Sequence, residues 1–342
     1  MIRFLKNIAV FGLVFIFTLF LLDLFIKYTG TTQLLIYNYD KYLGRVFVSN
    51  SEYMMTTEGF AMGTINEYGY IGPGYDMEKT PGKIRIALLG DSYIEGFQHF
   101  DRNHLRTVLE RDLKQKYSID AEVMNFGRFG YNLSDMYSLD KNLVSEFDPD
   151  ITLFFINGED LSDTTLRPLM PHATLINDSV IINYTDPPPG RKPWYLDRIE
   201  LSKMSPTVMM IRNCMTLAGK EETPFILFGK FGGLFKKTPP KQETVANTIS
   251  PIAMKIFKEL SRNSGNVIVY RDMTPLPPNL RDSIIKTGVN FISVTEPILA
   301  EQQNGKQLYF LDKNGSKGHW NIQAHELIGS YLANLISKHT FF

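Results

Sequence analysis

The first apolar run of the chain extends from Ile8 to Leu22, fifteen residues with Thr18 as its single polar member, and resumes as Leu24-Phe25-Ile26 after Asp23. Nineteen helical residues at about 1.5 Å each span roughly 28 Å, close to the hydrocarbon thickness of a bilayer. No polar face recurs at helical spacing, which argues against a helix buried in a soluble core. A cleaved signal peptide is the stronger rival, but no Ala-x-Ala site follows and the stretch exceeds the usual apolar region of such signals. Arg3 and Lys6 precede the run, so the positive-inside bias keeps the N-terminus cytoplasmic and carries everything after Lys27 across the membrane. The expectation is a single-pass protein of the inner (plasma) membrane, residues 1–27 forming stub and anchor, with the main domain periplasmic or extracellular.

Beyond the anchor the pattern changes period. Residues 28–80, rich in Tyr, Gly and Thr with weak strand signals such as Gln33–Tyr37, read as a tether wrapping onto a domain. From 81 onward, short apolar runs alternate with amphipathic stretches. Strands are expected at Ile84–Gly90, Ala121–Asn125, Ile151–Ile156, Asn266–Tyr270 and Asn290–Val294, and helices at Leu105–Tyr117, near Leu133–Phe147, near Val245–Asn263 and at Ile322–Ser337. Such alternation predicts right-handed βαβ units and a parallel five-stranded sheet covered on both faces, a three-layer α/β/α fold over 81–342. The rhythm breaks between about 163 and 243, read as a cap insertion with a hairpin around Asn177-Asp178, a stop at Pro187–Gly190 and a helix near Thr207–Leu217. Its apolar-basic segment Pro224–Lys237 is either a loop tucking phenylalanines under the cap or a contact with membrane or a partner.

Composition narrows the function more than it names it. Lys and Arg number 36 against 36 Asp and Glu, which removes the electrostatic case for nucleic-acid binding. Lone Cys214, set among Met209, Met210, Ile211 and Met215, rules out an internal disulfide and reads as a small core residue. His99, His104, His172, His325 and His339 lack metal-ligand spacing and read as packing or surface residues, so neither a metal nor an organic cofactor is expected.

The candidate chemistry lies at strand ends. Gly90-Asp91-Ser92 follows the first strand at a tight turn into a helix, which exposes a serine beside free backbone N–H groups, although the tripeptide alone also fits an ordinary turn and cap. The second strand runs into Asn125-Phe-Gly127-Arg-Phe-Gly130, a turn able to present an N–H to a developing oxyanion. The third ends in Asn157-Gly158-Glu159-Asp160, and before the last helix stands Gly318-His319-Trp320-Asn321, read as a loop that brings a histidine to the same edge. Together these supply a nucleophile, oxyanion donors and a base for acyl transfer. No Gly-x-Ser-x-Gly elbow and no His-Glu-x-x-His helix competes.

These four blocks resemble the SGNH/GDSL hydrolase superfamily over roughly Ile84 to Lys338, and the His319-Trp320-Asn321 run is similar to its membrane-anchored bacterial branch associated with polysaccharide O-acetylation. The resemblance implies a flavodoxin-like sheet, Ser92 as nucleophile, His319 as base, and Ser92 and Gly130 as oxyanion donors, with Asp91, Asn125 and Asp160 structural near the site. Two blocks depart from the family pattern. Where the family has an oxyanion-hole asparagine this chain has Glu159, which as a carboxylate donates no hydrogen bond; Asn157 is the alternative donor. Where the family has an aspartate before the histidine this chain has Ser316 and Lys317, leaving Asp312 as the nearest upstream carboxylate to orient the imidazole.

The function expected is a membrane-anchored esterase or O-acyltransferase, acetyl the expected group, acting on a cell-envelope or extracellular glycan through a Ser-His acyl-enzyme. Transfer implies, by family analogy, a multispanning partner delivering the acyl group. The alternatives are a catalytically degenerate domain serving as a glycan-binding or assembly subunit, and a lipid-directed esterase.

Overall fold

The computed structural model describes residues 2–29, 37–55, 58, 61–162, 167, 169–184, 205, 207, 248–311 and 316–338. The chain divides into two units, one of 1–36, 54–56 and 187–240, the other of 37–53, 57–186 and 241–342.

In the first unit, α1 (Ile2–Thr29) contains one stretch, Arg3–Ile26, long and apolar enough to cross a membrane, a test that a secretory signal also passes. The carboxylate of Asp23 near its end accepts hydrogen bonds from the Ser205 hydroxyl and the Thr207 N–H, each 2.8 Å. The carboxylate, set within the apolar part of the helix, thus finds two donors rather than standing unpaired. The expected stop at 187–190, segment 224–237 and Cys214 lie outside the described residues, as does the expected helix near 207–217 apart from Thr207.

The second unit opens with β1 (Tyr37–Asp40) paired antiparallel with β2 (Gly44–Phe47); β3 (Glu52–Met55), of which Met54 and Met55 fall in the first unit, and β4 (Ala61–Thr64) follow along the chain. The elements that follow are β5 (Ile84–Gly90), α2 (Ser92–Glu95), α3 (Leu105–Tyr117), β6 (Ala121–Gly127), α4 (Leu133–Asn142), β7 (Ile151–Ile156), α5 (Gly158–Ser162), and a hairpin of β8 (His172–Ile176) and β9 (Ser179–Asn183). The chain closes with α6 (Pro251–Leu260), β10 (Asn266–Tyr270), α7 (Pro278–Ile285), β11 (Asn290–Ser293), α8 (Thr295–Gln303), a second hairpin of β12 (Tyr309–Leu311) and β13 (Lys317–Trp320), and α9 (Ile322–Ser337).

Five of these strands form the expected parallel sheet in the order β11-β10-β7-β5-β6. Numbered along the chain that order is 2-1-3-4-5, with its topological switch point between β5 and β7. Alternation along each strand sorts side chains into two cores. Ala87, Leu89, Phe154 and Ile268 face α4, α6 and α7, whereas Ile86, Leu88, Phe155 and Val269 face α3, α8 and α9. The sheet is therefore the middle of three layers, which is why its strands read as unbroken apolar runs.

Arg85, fully buried in β5, donates to the carbonyls of Asp76, Met77, Glu78 and Phe147 and pairs with Glu122 at 2.6 Å. Tyr70 and Tyr75 enter the sheet core, so the stretch read as a wrap contributes packing as well as length.

Several boundaries differ from expectation for local reasons. Ser250 caps α6 by accepting the Ala253 N–H and Pro251 occupies its first position, so that helix starts later than 245. The helix expected to reach Phe147 ends at Asn142, where Leu143 leaves helical geometry, and a 3₁₀ turn covers Val144–Phe147. The hairpin at Asn177-Asp178 forms with both turn residues at positive φ, +48° and +59°, the signature of a two-residue type I′ turn. His319 lies on strand β13, not in a loop.

Candidate active site

Parallel pairing brings the carboxyl ends of the central strands to one edge, Gly90 level with Gly127 and Ile156 level with Tyr270. Ser92 begins α2 immediately beyond β5, beside the switch point where folds of this order place their ligands. Asp91 fixes the turn: its carboxylate accepts the Tyr93 N–H at 3.0 Å and pairs with the buried Arg271 guanidinium. Gly127 allows α2 to rest on β6, because a Cβ there would lie 2.2 Å from the Glu95 nitrogen.

The antiparallel pairing of β12 with β13 carries His319 to the same place. Its Nε2 lies 2.8 Å from Ser92 Oγ and its Nδ1 lies 2.6 Å from Glu58 Oε2. Tyr93 steadies the imidazole, its ring 5.0 Å from that of His319 and 5.1 Å from that of Trp320, its hydroxyl donating to the Gly318 carbonyl. The Arg271 guanidinium covers the Tyr93 ring at 4.1 Å.

Asp312, the carboxylate expected to orient the imidazole, lies outside the described residues; among those described, His319 Nδ1 is hydrogen-bonded to Glu58. The Glu58 carboxylate also accepts the His319 N–H at 3.3 Å and the Gln98 amide at 3.4 Å. Burial pushes the Glu58 pKa upward, but its hydrogen bonds to His319 and the imidazole charge outweigh burial and hold it below the ordinary glutamate value. Gly318 makes room, since a Cβ there would sit 2.5 Å from Glu58 Oε1. A Nδ1–H donated to Glu58 leaves Nε2 free to accept the Ser92 hydroxyl proton.

Gly130 adopts φ +76°, a left-handed conformation that suits glycine, and its N–H has no partner among the described residues; neither has the N–H of Ser92. Asn125 is buried and structural: its side-chain oxygen accepts the Gly127 N–H, and its amide donates to the Ile71 carbonyl. Asp160, also buried, accepts the N–H groups of Leu133 and Asn157. Glu159 is exposed on α5, while half-buried Asn157 stands at the end of β7. The oxygen of Asn157 accepts the N–H groups of Glu159 and Asp160, leaving its amide NH₂ without a partner among the described residues.

Solved structures to which this chain is similar include several esterases. A two-domain esterase active on acetylated mannans is 12% identical with a TM-score of 0.38, the match covering 75% of this chain and 50% of that one, so the chain spans about half of its length. A lipase/acylhydrolase from Enterococcus faecalis is 15% identical over 75% of this chain and 96% of that one, TM-score 0.35. An SGNH-hydrolase family esterase is 13% identical over 76% and 98%, TM-score 0.33. No family model and no curated protein matches the sequence. Likenesses this remote leave the chemistry to be judged from the residues.

Sequence reasoning missed three contributors. Glu58 sits 261 positions before the histidine it touches, in a stretch without strand or helix periodicity. Arg271 follows β10 at the same sheet edge, and Glu95 lies buried within the Gly90–Gly96 block itself. The missing aspartate before His319 was the one available signal that an acid had to come from elsewhere. Among the described residues no group of three or more His, Cys, Asp or Glu is arranged to hold a metal ion.

Proposed function

We propose that the protein is a serine esterase or O-acyltransferase of the SGNH type, anchored in the membrane by α1, that removes or transfers acetyl groups on a glycan outside the cytoplasm. The observation that carries this reading is the unbroken hydrogen-bonded line Glu58–His319–Ser92, with spacings of 2.6 and 2.8 Å.

The chemistry follows from that line. His319 Nε2 takes the Ser92 proton as Oγ attacks the ester carbonyl carbon, and Glu58 stabilises the imidazolium that forms. The N–H groups of Ser92 and Gly130 and the amide of Asn157 receive the oxyanion, Asn157 rather than Glu159 supplying the side-chain donor. Collapse breaks the bond to the alcohol, which takes the proton back from His319 and leaves an acyl-Ser92. Water or a sugar hydroxyl, deprotonated by His319, then attacks the acyl carbon; the bond to Oγ breaks and Ser92 takes the proton back from His319. Support for catalysis over a disabled binding domain comes from both departures from the family pattern having a substitute nearby, Glu58 for the missing acid and Asn157 for the missing amide. The glycan, the acetyl group and an extracytoplasmic address rest on the resemblance of the four blocks and on the polarity of α1.

The test uses the full chain in detergent with p-nitrophenyl acetate, with and without a soluble oligosaccharide acceptor. Turnover that disappears in Ser92→Ala supports the reading, and acetylated oligosaccharide among the products assigns transfer over hydrolysis. A parent no faster than Ser92→Ala overturns it.

A further inference from the structure

Glu95 has no part in the line Glu58–His319–Ser92, yet it lies only three residues beyond the nucleophile. It ends the short helix that Ser92 begins and is 4% exposed. Its carboxylate oxygen Oε1 accepts the N–H of Phe129 at 3.1 Å. Phe129 immediately precedes Gly130, so one hydrogen bond ties the nucleophile's helix to the loop carrying the second oxyanion donor. The main chain around Glu95 is fixed independently: its N–H donates to the Asp91 carbonyl, and its carbonyl lies 3.2 Å from His104 Nε2 and 3.4 Å from the Asn125 amide. From the far side, the Arg167 guanidinium donates to the Gly130 carbonyl and pairs with Asp135. The donor loop is therefore gripped by Glu95 and by Arg167, while Phe129 itself is 61% exposed.

We propose that Glu95 is a positioning residue for acyl transfer at Ser92, holding the Arg128–Phe129 peptide so that the next N–H, that of Gly130, points at the ester oxygen. The proposal rests on Ser92 being the nucleophile, which Ser92→Ala tests separately. A carboxyl group is an expensive filler for a buried position: burial raises the Glu95 pKa to about 7, against the opposing pull of the Arg128 charge, the Phe129 N–H and the His319 imidazole. Packing alone is served as well by methionine. What methionine lacks is the acceptor.

The experiment compares Glu95→Gln and Glu95→Met with the parent in the full chain in detergent, after thermal melts identify the variants that fold. Loss of a whole oxyanion donor costs about 10²–10³ in kcat. Misaiming one by loosening its loop is expected to cost Glu95→Met about 10- to 100-fold in kcat with KM within about threefold, whereas Glu95→Gln, whose amide oxygen still accepts the Phe129 N–H, stays within about threefold of the parent. Hydrogen exchange of the peptide covering 127–132, read by mass spectrometry, requires no activity and is expected to quicken in Glu95→Met but not in Glu95→Gln; if Glu95→Met does not fold, Glu95→Leu, which also lacks an acceptor, carries the test. Unchanged exchange, equal losses in both variants, or a loss confined to KM overturns the proposal.

Discussion

Replacing Glu58 with glutamine keeps the size of the side chain and removes its charge from the His319 imidazole. In the ground state a neutral imidazole gains little from that charge, but the transition state places an imidazolium against it. Two unit charges about 4 Å apart attract by about 4 kcal/mol at an effective dielectric of 20, the regime suited to side chains 26% and 29% exposed. At about 1.4 kcal/mol per decade this amounts to roughly three decades of rate. A glutamine that turns its NH₂ toward Nδ1 also favours the tautomer protonated on Nε2, which cannot accept the Ser92 proton, and a wrong tautomer alone can cost about 10⁴. Glu58→Gln is therefore expected to lower kcat on p-nitrophenyl acetate by about 10³–10⁴ with little change in KM, and to slow fluorophosphonate labelling in parallel. Asp312→Asn, measured beside it, is expected to stay within about twofold. A Glu58→Gln variant within tenfold of the parent, or a larger loss in Asp312→Asn, refutes the assignment of Glu58 as the orienting acid.

Two further outcomes follow from buried charge and buried histidine. Arg271→Met leaves the mostly buried Asp91 carboxylate without its cation, so urea denaturation is expected to show a loss of about 3–5 kcal/mol together with slower labelling of Ser92; a loss below about 1 kcal/mol contradicts the role given to the pair. His99 is buried with its ring centroid 3.9 Å from that of His325, and desolvation lowers its pKa from 6.5 to about 4, so the unfolded chain binds its proton first and stability falls as pH drops from about 6.5 through 4. Glu95 and Asp140, raised by burial to about 7 and about 6, act with the opposite sign: their contribution is fully present at low pH and is lost as pH rises through those values. The His99 contribution is accordingly isolated as a difference, with the melting temperatures of parent and His99→Phe drawing together as pH falls over that window; a constant gap contradicts it.

The central strands could be recognised from the sequence because a sheet covered on both faces demands unbroken apolar runs, and Ile84–Gly90 and Ile151–Ile156 provide them between turn residues. Helices α7 and α8 hide behind prolines: Pro277-Pro278 and Pro297 look like breaks, although Pro278 and Pro297 fall in first turns, where proline removes no helical hydrogen bond. The β12–β13 hairpin is too short for alternation to show, which made His319 look like a loop residue. Ser92, Gly130 and His319 were recognisable because each lies in a block whose spacing reflects one turn at one strand end. Glu58 belongs to no such block; only the fold brings it to the histidine, and among 36 acidic residues nothing local distinguishes it.

The most direct measurement is the site of covalent capture. The full chain in detergent is treated with a fluorophosphonate, and the adduct is mapped by peptide mass spectrometry. The account predicts one adduct per chain, on Ser92, absent from Ser92→Ala and formed orders of magnitude more slowly in Glu58→Gln. No adduct on the folded parent, or an adduct on another residue that persists in Ser92→Ala, would contradict it.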